Sequence, residues 1–328
     1  MAREYGEENL TITVLPVMEQ VVRAQFPGAM VIPLPLRRER ILLNLFIANC
    51  LRCFPSWIRL LGTKSDVSIS LRHMRDYLMS VLFFSVRSKK CLIVSNELLG
   101  NGRRVRRWTE AVFCWLFSPT VIAYPDARQG VPRELEANRL LASAALGRDV
   151  DTSEVWPELK PIGKPPLAHP YWVCAPFSSS PGKDYPLERW ADLFDSLQQK
   201  GILNRLVLTG SKDQKPQLER FLQLLQGISP SFYSIPCILL PDTLQDFIDL
   251  LAGATWVMTV DTAAAHAATA LDRNTLILFS GQHSGTYAPW VRSSRQHWIM
   301  PDPTRKDDPW HSHHETPELV DLVEQSLS

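Results

Sequence analysis

The sequence predicts an α/β protein built on a doubly wound parallel sheet, in a chain long enough for two domains. Three observations predict it. The 328 residues exceed one ordinary core and suit two domains of about 150 residues each. Apolar content of 45% predicts packed cores and not a disordered chain. Along the second half, short apolar runs alternate with amphipathic stretches, the pattern of βαβ units.

In the first half, "LPVMEQVVRAQFPG" (15–28) has helical spacing and stops at Pro-Gly. "AMVIPLP" follows as a short buried strand, and "SDVSISL" (65–71) and "CLIVS" (91–95) are further strands around a helical pattern at 74–87. "ILLNLFIANCLRCFPSWIRLL" (41–61) is the longest apolar stretch. Arg52 near its centre is costly inside a bilayer, so it reads as a buried amphipathic helix, with peripheral membrane contact as the weaker option. "VPRELEANRLLASAALG" (131–147) is a helix with an acidic first turn and a glycine stop. "RDVDTSEVWPELKPIGKPPLAHP" is rich in proline and charge and reads as a linker.

The second half is more regular. Strands are expected at 171–177, 204–210, 237–240, 256–260 and 274–279. Helices are expected at 186–201, 215–227 and 244–254 and from Thr262. Sheets of this kind bind ligands at the carboxyl ends of their strands. Those ends here are "APFSSSPGK", "LTGSKD", "TVDTAAAH" and "LFSGQHSG", four loops of small polar residues that suit a phosphate-bearing ligand.

Composition excludes several classes. A net charge of +1 gives no reason to expect nucleic acid as the partner. Six cysteines lack a disulfide-framework rhythm and read as reduced thiols of a cytoplasmic protein, Cys50 and Cys53 as buried thiols on one helix. "MAREYGEENL" has no apolar core of a signal peptide. "WHSHHE" (310–315) lacks metal-ligand geometry and reads as a solvated loop, so no metal site is expected.

The loops supply the candidate residues. Thr262 is an N-cap whose helix start forms an anion site, and Ala263 is small enough for a diphosphate to approach. Asp261 either accepts hydrogen bonds from sugar hydroxyls or merely caps the helix. Ser178, Ser179, Ser180 and Lys183 offer hydroxyls and a charge to phosphate, against the ordinary reading of a solvated loop. Asp213 is either a ribose ligand or an ordinary helix-start acid. His266, one turn after Thr262, either reaches the ligand or packs with a backbone partner.

These blocks resemble glycosyltransferase family 9, the ADP-heptose:lipopolysaccharide heptosyltransferases and their relatives. "VDTAAAHAATAL", then "NTLILFSG" and "YAPW" (287–290), resembles the family's strand, Asp-Thr-Gly-x-x-His, alanine-rich helix, strand and Phe-Gly loop. Gly281 falls in that loop. "PFSSSPGKDYPLERWADLFDSL" resembles its Ser/Thr loop, lysine and helix entry, and "LVLTGSKDQ" its strand, glycine and acid. The resemblance spans most of 170–290 and is weaker elsewhere.

The resemblance implies a GT-B fold, two Rossmann-like domains facing a cleft, here 1–155 for the acceptor and 156–328 for the nucleotide sugar. It implies inverting transfer from an ADP-sugar with no cofactor, onto a lipopolysaccharide core or related anionic glycolipid. The expected setting is the cytoplasm, peripheral on the cytoplasmic face of the inner membrane. Arg103, Arg104, Arg106 and Arg107, with Arg37, Arg38 and Arg40, are either a solvated basic face or the capture site for that acceptor. The family's base is a carboxylate in a Gly-Asp motif after the first strand. Here "YGEENL" stands in that place with Glu7 or Glu8, and the family's preceding apolar strand is missing from this sequence. The other reading of the two acids is a solvated terminus. Ala263 replaces the family glycine, so an approach needing positive φ is lost there. These departures keep a second function open, a relative that binds nucleotide or glycan without turnover. An unrelated dehydrogenase is disfavoured, since no G-x-G-x-x-G follows an early strand.

Overall fold

The computed structural model describes residues 1–35, 43–70, 86–95, 119–123, 125–126, 131–203, 205–234, 236–282, 284–305 and 308–327. The chain divides into two compact units, Met1–Trp156 with Gly285–Tyr287, and Pro157–Ser284 with Ala288–Ser328.

In the first unit, β1 (Thr11–Val14) pairs in parallel with β2 (Met30–Pro33) across helix α2 (Pro16–Gln25). Strand β1 was not among the strands expected from the sequence; it follows Glu7 and Glu8 and so is not the apolar strand expected ahead of them. "TITV" is short and half-exposed, so it lacks the apolar run by which a buried strand is recognised. A short helix, α1 (Ala2–Tyr5), precedes it. Helix α3 (Leu43–Leu61) packs Cys53 and Leu60 on Ile32 and Leu34. A second parallel sheet holds β3 (Lys64–Ser70), β4 (Arg87–Ser95) and β5 (Thr120–Ala123) in that order. Arg87 therefore opens a strand; the rest of the helix expected at 74–87 lies, but for Val86, outside the described residues.

Helix α4 (Arg133–Leu146) lays Ala137, Leu141 and Ala145 on Leu92 of β4 and stops at Gly147, whose φ of 68° suits a residue without a Cβ. Its Glu136 is buried and takes two hydrogen bonds from Arg139, whose guanidinium also donates to Asp149. A buried charge tolerates this only when paired, and here both carboxylate oxygens are.

The second unit carries one six-stranded sheet, all parallel. Its strands are β6 (Trp172–Ala175), β7 (Leu206–Leu208), β8 (Pro236–Ile238), β9 (Trp256–Val260), β10 (Asn274–Leu278) and β11 (Gln296–Ile299). Their order is β11-β10-β9-β6-β7-β8. Both faces are covered, so β9 is buried at all five positions and reads as a continuous apolar run. Helix α5 (Leu187–Gln199) buries Trp190, Leu193, Phe194 and Leu197, the i, i+3, i+4, i+7 stripe of a core-facing helix. Helices α6 (Lys215–Ile228), α7 (Leu244–Gly253), α8 (Ala263–Ala270) and α9 (Thr316–Gln325) complete the layers. Strand β11 and helix α9 escaped the sequence reading.

The expected linker is not a free spacer. Asp249 of α7 accepts the amides of Ile162 and Gly163, each at 2.9 Å, and the Leu159 amide donates to the Ala270 carbonyl. Pro165 and Tyr171 crowd Gly253, where a Cβ would sit 2.4 Å from each. The expected solvated loop at 310–315 is also corrected. Trp310 packs on Tyr185 at 5.8 Å, and Arg189 donates to the His311 and His314 carbonyls, which draws His314 to 4% exposure. Among the described residues no three His, Cys, Asp or Glu side chains form a metal cluster.

Candidate functional site

The sheet order reverses between β6 and β9: β7 and β8 lie to one side, β10 and β11 to the other. A crevice at the carboxyl ends is expected at such a switch point. The loop after β6 carries Lys183 and the turn after β9 carries Asp261. Lys183 Nζ lies 2.6 Å from Asp261 Oδ2, and both side chains are largely buried, 16% and 7% exposed. Two residues 78 apart in sequence thus meet at the switch point of the sheet.

His266 joins them from the first turn of α8. Its Nε2 is 3.6 Å from Asp261 Oδ1, slightly beyond hydrogen-bond length. Trp290 Nε1 donates to His266 Nδ1 at 3.0 Å. In the neutral ring Nδ1 is then the acceptor, so the proton sits on Nε2 and faces the carboxylate. The two rings stack at an interplanar angle of 8°. Burial alone would raise the Asp261 carboxyl, but His266 and Lys183 together hold it below the usual carboxylate value.

Thr262 caps α8, its Oγ1 accepting from the Ala264 amide at 3.2 Å. Thr259 Oγ1 donates to the Ala175 carbonyl, so the Thr262 hydroxyl proton is left for Thr259 Oγ1, 3.2 Å away. The Thr262 hydroxyl thus serves the fold. The exposed Ala263 amide keeps the open valence of a helix first turn, whereas Ala265 is fully buried. Ala263 is exposed and has ordinary helical backbone, so no positive φ is required where the family has glycine.

The serine loop is internally bonded. Ser178 N donates to Asp184 Oδ1 at 2.6 Å, Ser180 N donates to Ser178 Oγ at 2.9 Å, and Ser178 Oγ donates to the Ser180 carbonyl. Burial pushes the Asp184 carboxyl up, against the Ser178 hydrogen bonds that lower it. Ser179 is exposed. Beyond β10, Gly281 turns the chain at φ 81°, and Gln282 Nε2 donates to the Gly182 carbonyl, joining the loops after β10 and β6. Asp213 sits exposed on the turn Lys212–Gln214 after β7, where Ser211 and Gln214 form a reciprocal cap.

In the first unit, Glu7 and Glu8 lie on an ordered turn, Glu7–Asn9, and not in a solvated tail. Glu7 Oε2 accepts the Gly28 amide at 3.1 Å, while Glu8 is exposed and receives Asn9 Nδ2 at 3.4 Å. Arg103, Arg104, Arg106 and Arg107 lie outside the described residues, as do Arg37, Arg38 and Arg40.

A family model, glycosyltransferase family 9 (heptosyltransferase), matches residues 122–309, more than half of the chain. The chain belongs to glycosyltransferase family 9. It is a glycosyltransferase of heptosyltransferase type. No curated protein matches it. Among solved structures, E. coli heptosyltransferase WaaC with ADP-2-deoxy-2-fluoro heptose is similar at TM-score 0.65 and 16% identity, over 95% of this chain and 88% of that one. E. coli ADP-heptose LPS heptosyltransferase II follows at 0.62 and 14%, over 97% and 90%. The family 9 glycosyltransferase from Veillonella parvula DSM 2008 gives 0.57 and 13%, over 97% and 96%. At these identities the likeness speaks to fold, which is the GT-B type with parallel sheets.

The sequence reading of this glycosyltransferase missed Trp290 as a site residue, although "YAPW" was in view. A tryptophan beside a cis X-Pro in a loop carries no spacing signal; only contact with His266 reveals its role.

Proposed function

We propose that this glycosyltransferase moves a heptose-type sugar from ADP to a lipopolysaccharide core or related anionic glycolipid, with inversion at the anomeric carbon, on the cytoplasmic face of the inner membrane. The observation that carries this is the Lys183–Asp261–His266 constellation at the switch point of the six-stranded sheet. The ADP-heptose analogue in the WaaC structure supports the choice of donor.

In this reading the second unit holds the donor and the first the acceptor. The acceptor hydroxyl gives its proton to a carboxylate and attacks the anomeric carbon from the face opposite the diphosphate. The bond from that carbon to the diphosphate oxygen breaks, and ADP leaves with the electron pair. Charge developing on the diphosphate is taken by Lys183 and the open Ala263 amide of α8, fixed donors that need no rearrangement as the bond breaks. Asp261 holds Lys183 in place and turns its other oxygen toward His266 and the sugar hydroxyls. Ser178, Ser179, Ser180, Asp213 and Gly281 line the remaining donor contacts. Glu8 is the better candidate base of the two acids, because Glu7 is committed to the Gly28 amide.

Calorimetric titration with ADP and ADP-heptose, with and without a chelator, beside transfer to a truncated lipopolysaccharide, tests the reading. Metal-independent binding and turnover are expected; binding of neither nucleotide sinks it. A second reading is binding without turnover. It is favoured by Glu7 being spent on a backbone amide and Glu8 standing exposed with Asn9 as its hydrogen-bond partner among the described residues. ADP binding with no transfer to any acceptor selects it.

A further inference from the structure

Over residues 51–61, helix α3 is packed on one side by the described residues. Cys53, Ser56 and Leu60 are buried, facing Ile32 and Leu34. On the other side Leu51 is 71% exposed, Phe54 50%, Ile58 54% and Leu61 45%. The spacing i, i+3, i+7, i+10 puts all four on one stripe of the helix. A single exposed leucine is ordinary; a continuous stripe of four large apolar side chains marks an interaction surface. This corrects the sequence reading of a buried helix: among the described residues, Ile32 and Leu34 cover the side of α3 that carries Cys53 and Leu60 and leave the stripe exposed.

At 100° per residue, Arg52 and Arg59 border the stripe along the same edge, and both are exposed. Leu43–Leu61 contains no Asp or Glu. Among the described residues no helix is long and apolar enough to cross a membrane.

We propose that α3 is an in-plane membrane-docking helix. Leu51, Phe54, Ile58 and Leu61 enter the boundary between headgroups and acyl chains, and Arg52 and Arg59 sit among anionic headgroups. A lipid surface fits better than a second copy of the chain. A symmetric contact between two α3 helices gathers four arginines with no carboxylate on either helix to balance them, whereas an anionic leaflet neutralises both arginines. The inference deepens the reading of a membrane-borne acceptor and rests on it only for which membrane is met.

Vesicle flotation of the full chain tests it. The vesicles are phosphatidylethanolamine with phosphatidylglycerol, or phosphatidylcholine alone, neither carrying glycolipid or nucleotide. Wild type is expected to float with the anionic vesicles and to be released by salt. Phe54→Glu/Ile58→Glu should remain unbound, with unchanged circular dichroism and ADP titration. Arg52→Gln/Arg59→Gln should lose roughly 25-fold in partitioning at low salt, about fivefold for each arginine. Absence of wild-type flotation overturns the proposal, as does flotation of the Phe54→Glu/Ile58→Glu variant at the wild-type level. A wild-type dimer in sedimentation that this variant dissolves, without flotation, also overturns it and assigns the stripe to a second copy. ADP binding and sugar transfer are measured apart from flotation, so failure of either reading is seen separately.

Discussion

Replacing Lys183 by methionine keeps most of the side-chain volume and removes the charge 2.6 Å from Asp261. Asp261 is then a carboxylate 7% exposed, with His266 Nε2 at 3.6 Å as its remaining neighbour. Breaking a buried pair by removing one partner costs about 3–5 kcal/mol. The lower end applies, because Lys183 keeps 16% exposure and His266 takes part of the load. A loss of about 3 kcal/mol is expected at neutral pH. Lys183→Met/Asp261→Asn should recover much of it, with a coupling of about 2 kcal/mol in the double-mutant cycle. Urea unfolding followed by tryptophan fluorescence reads this in the second unit, where Trp172, Trp190, Trp256, Trp290, Trp298 and Trp310 lie.

The pH dependence should weaken as well. In the wild type the folded state holds Asp261 below the usual carboxylate value, so the pair contributes stability at neutral pH that is lost as pH falls through the folded value. In Lys183→Met the Lys183 contribution is lost while His266 still favours the charged carboxylate, so that carboxyl rises toward its usual value and less stability is lost as pH falls than in the wild type. A variant within about 0.5 kcal/mol of wild type, with a parallel pH profile, refutes the argument that this pair is a buried interaction.

Other outcomes follow from the same contacts. His314 is 4% exposed, and burial, with the charges of His313 and Arg189, pushes it down to about 4. The unfolded chain therefore binds a proton that the folded one refuses between about pH 6.5 and 4, so acidification across that window should cost roughly 3 kcal/mol, and His314→Gln should flatten the profile in urea titrations. Trp290→Phe removes the donor that fixes the His266 tautomer; kcat for transfer should fall on the order of tenfold with ADP affinity retained, and an unchanged kcat would show that the tautomer is irrelevant. Glu8→Gln should abolish transfer and leave stability alone, whereas Glu7→Gln should cost about 1 kcal/mol of stability through the Gly28 amide and leave transfer measurable; the reverse pattern in the same two assays would move the base to Glu7. Glu136→Gln removes the more buried of the two carboxylates paired with Arg139 and leaves Asp149 as its partner, so stability should fall by about 2 kcal/mol in thermal unfolding.

The second unit was legible in the sequence because its physics is local. A parallel strand covered on both faces must be apolar throughout, and a helix on that sheet must repeat its apolar residues at the helical period. "WVMTV" and "RWADLFDSL" meet those demands, so their type and place could be read from composition alone. The polar loops at the strand ends and the Thr262 cap were visible for the same reason. In the first unit the rule fails where strands are short or half-exposed: "TITV" does not carry the signal, and β1 was found only by its pairing with β2. What tertiary structure alone decided is which candidates meet. The order β9-β6, a long-range choice, brings Lys183 to Asp261 across 78 positions, and the loop after β10 brings Trp290 to His266 across 24. The same packing withdraws Glu7 from the pool of free groups by giving it the Gly28 amide, 21 residues on. Among the described residues it also leaves Leu51, Phe54, Ile58 and Leu61 of α3 exposed, a fact that apolar periodicity cannot report because the stripe and the packed face are both apolar. Residue type and spacing determine which groups are available for chemistry, since those are properties of neighbours in the chain. Which of them are consumed by the fold and which remain for a ligand depends on contacts between residues far apart in sequence, and only the folded chain settles those.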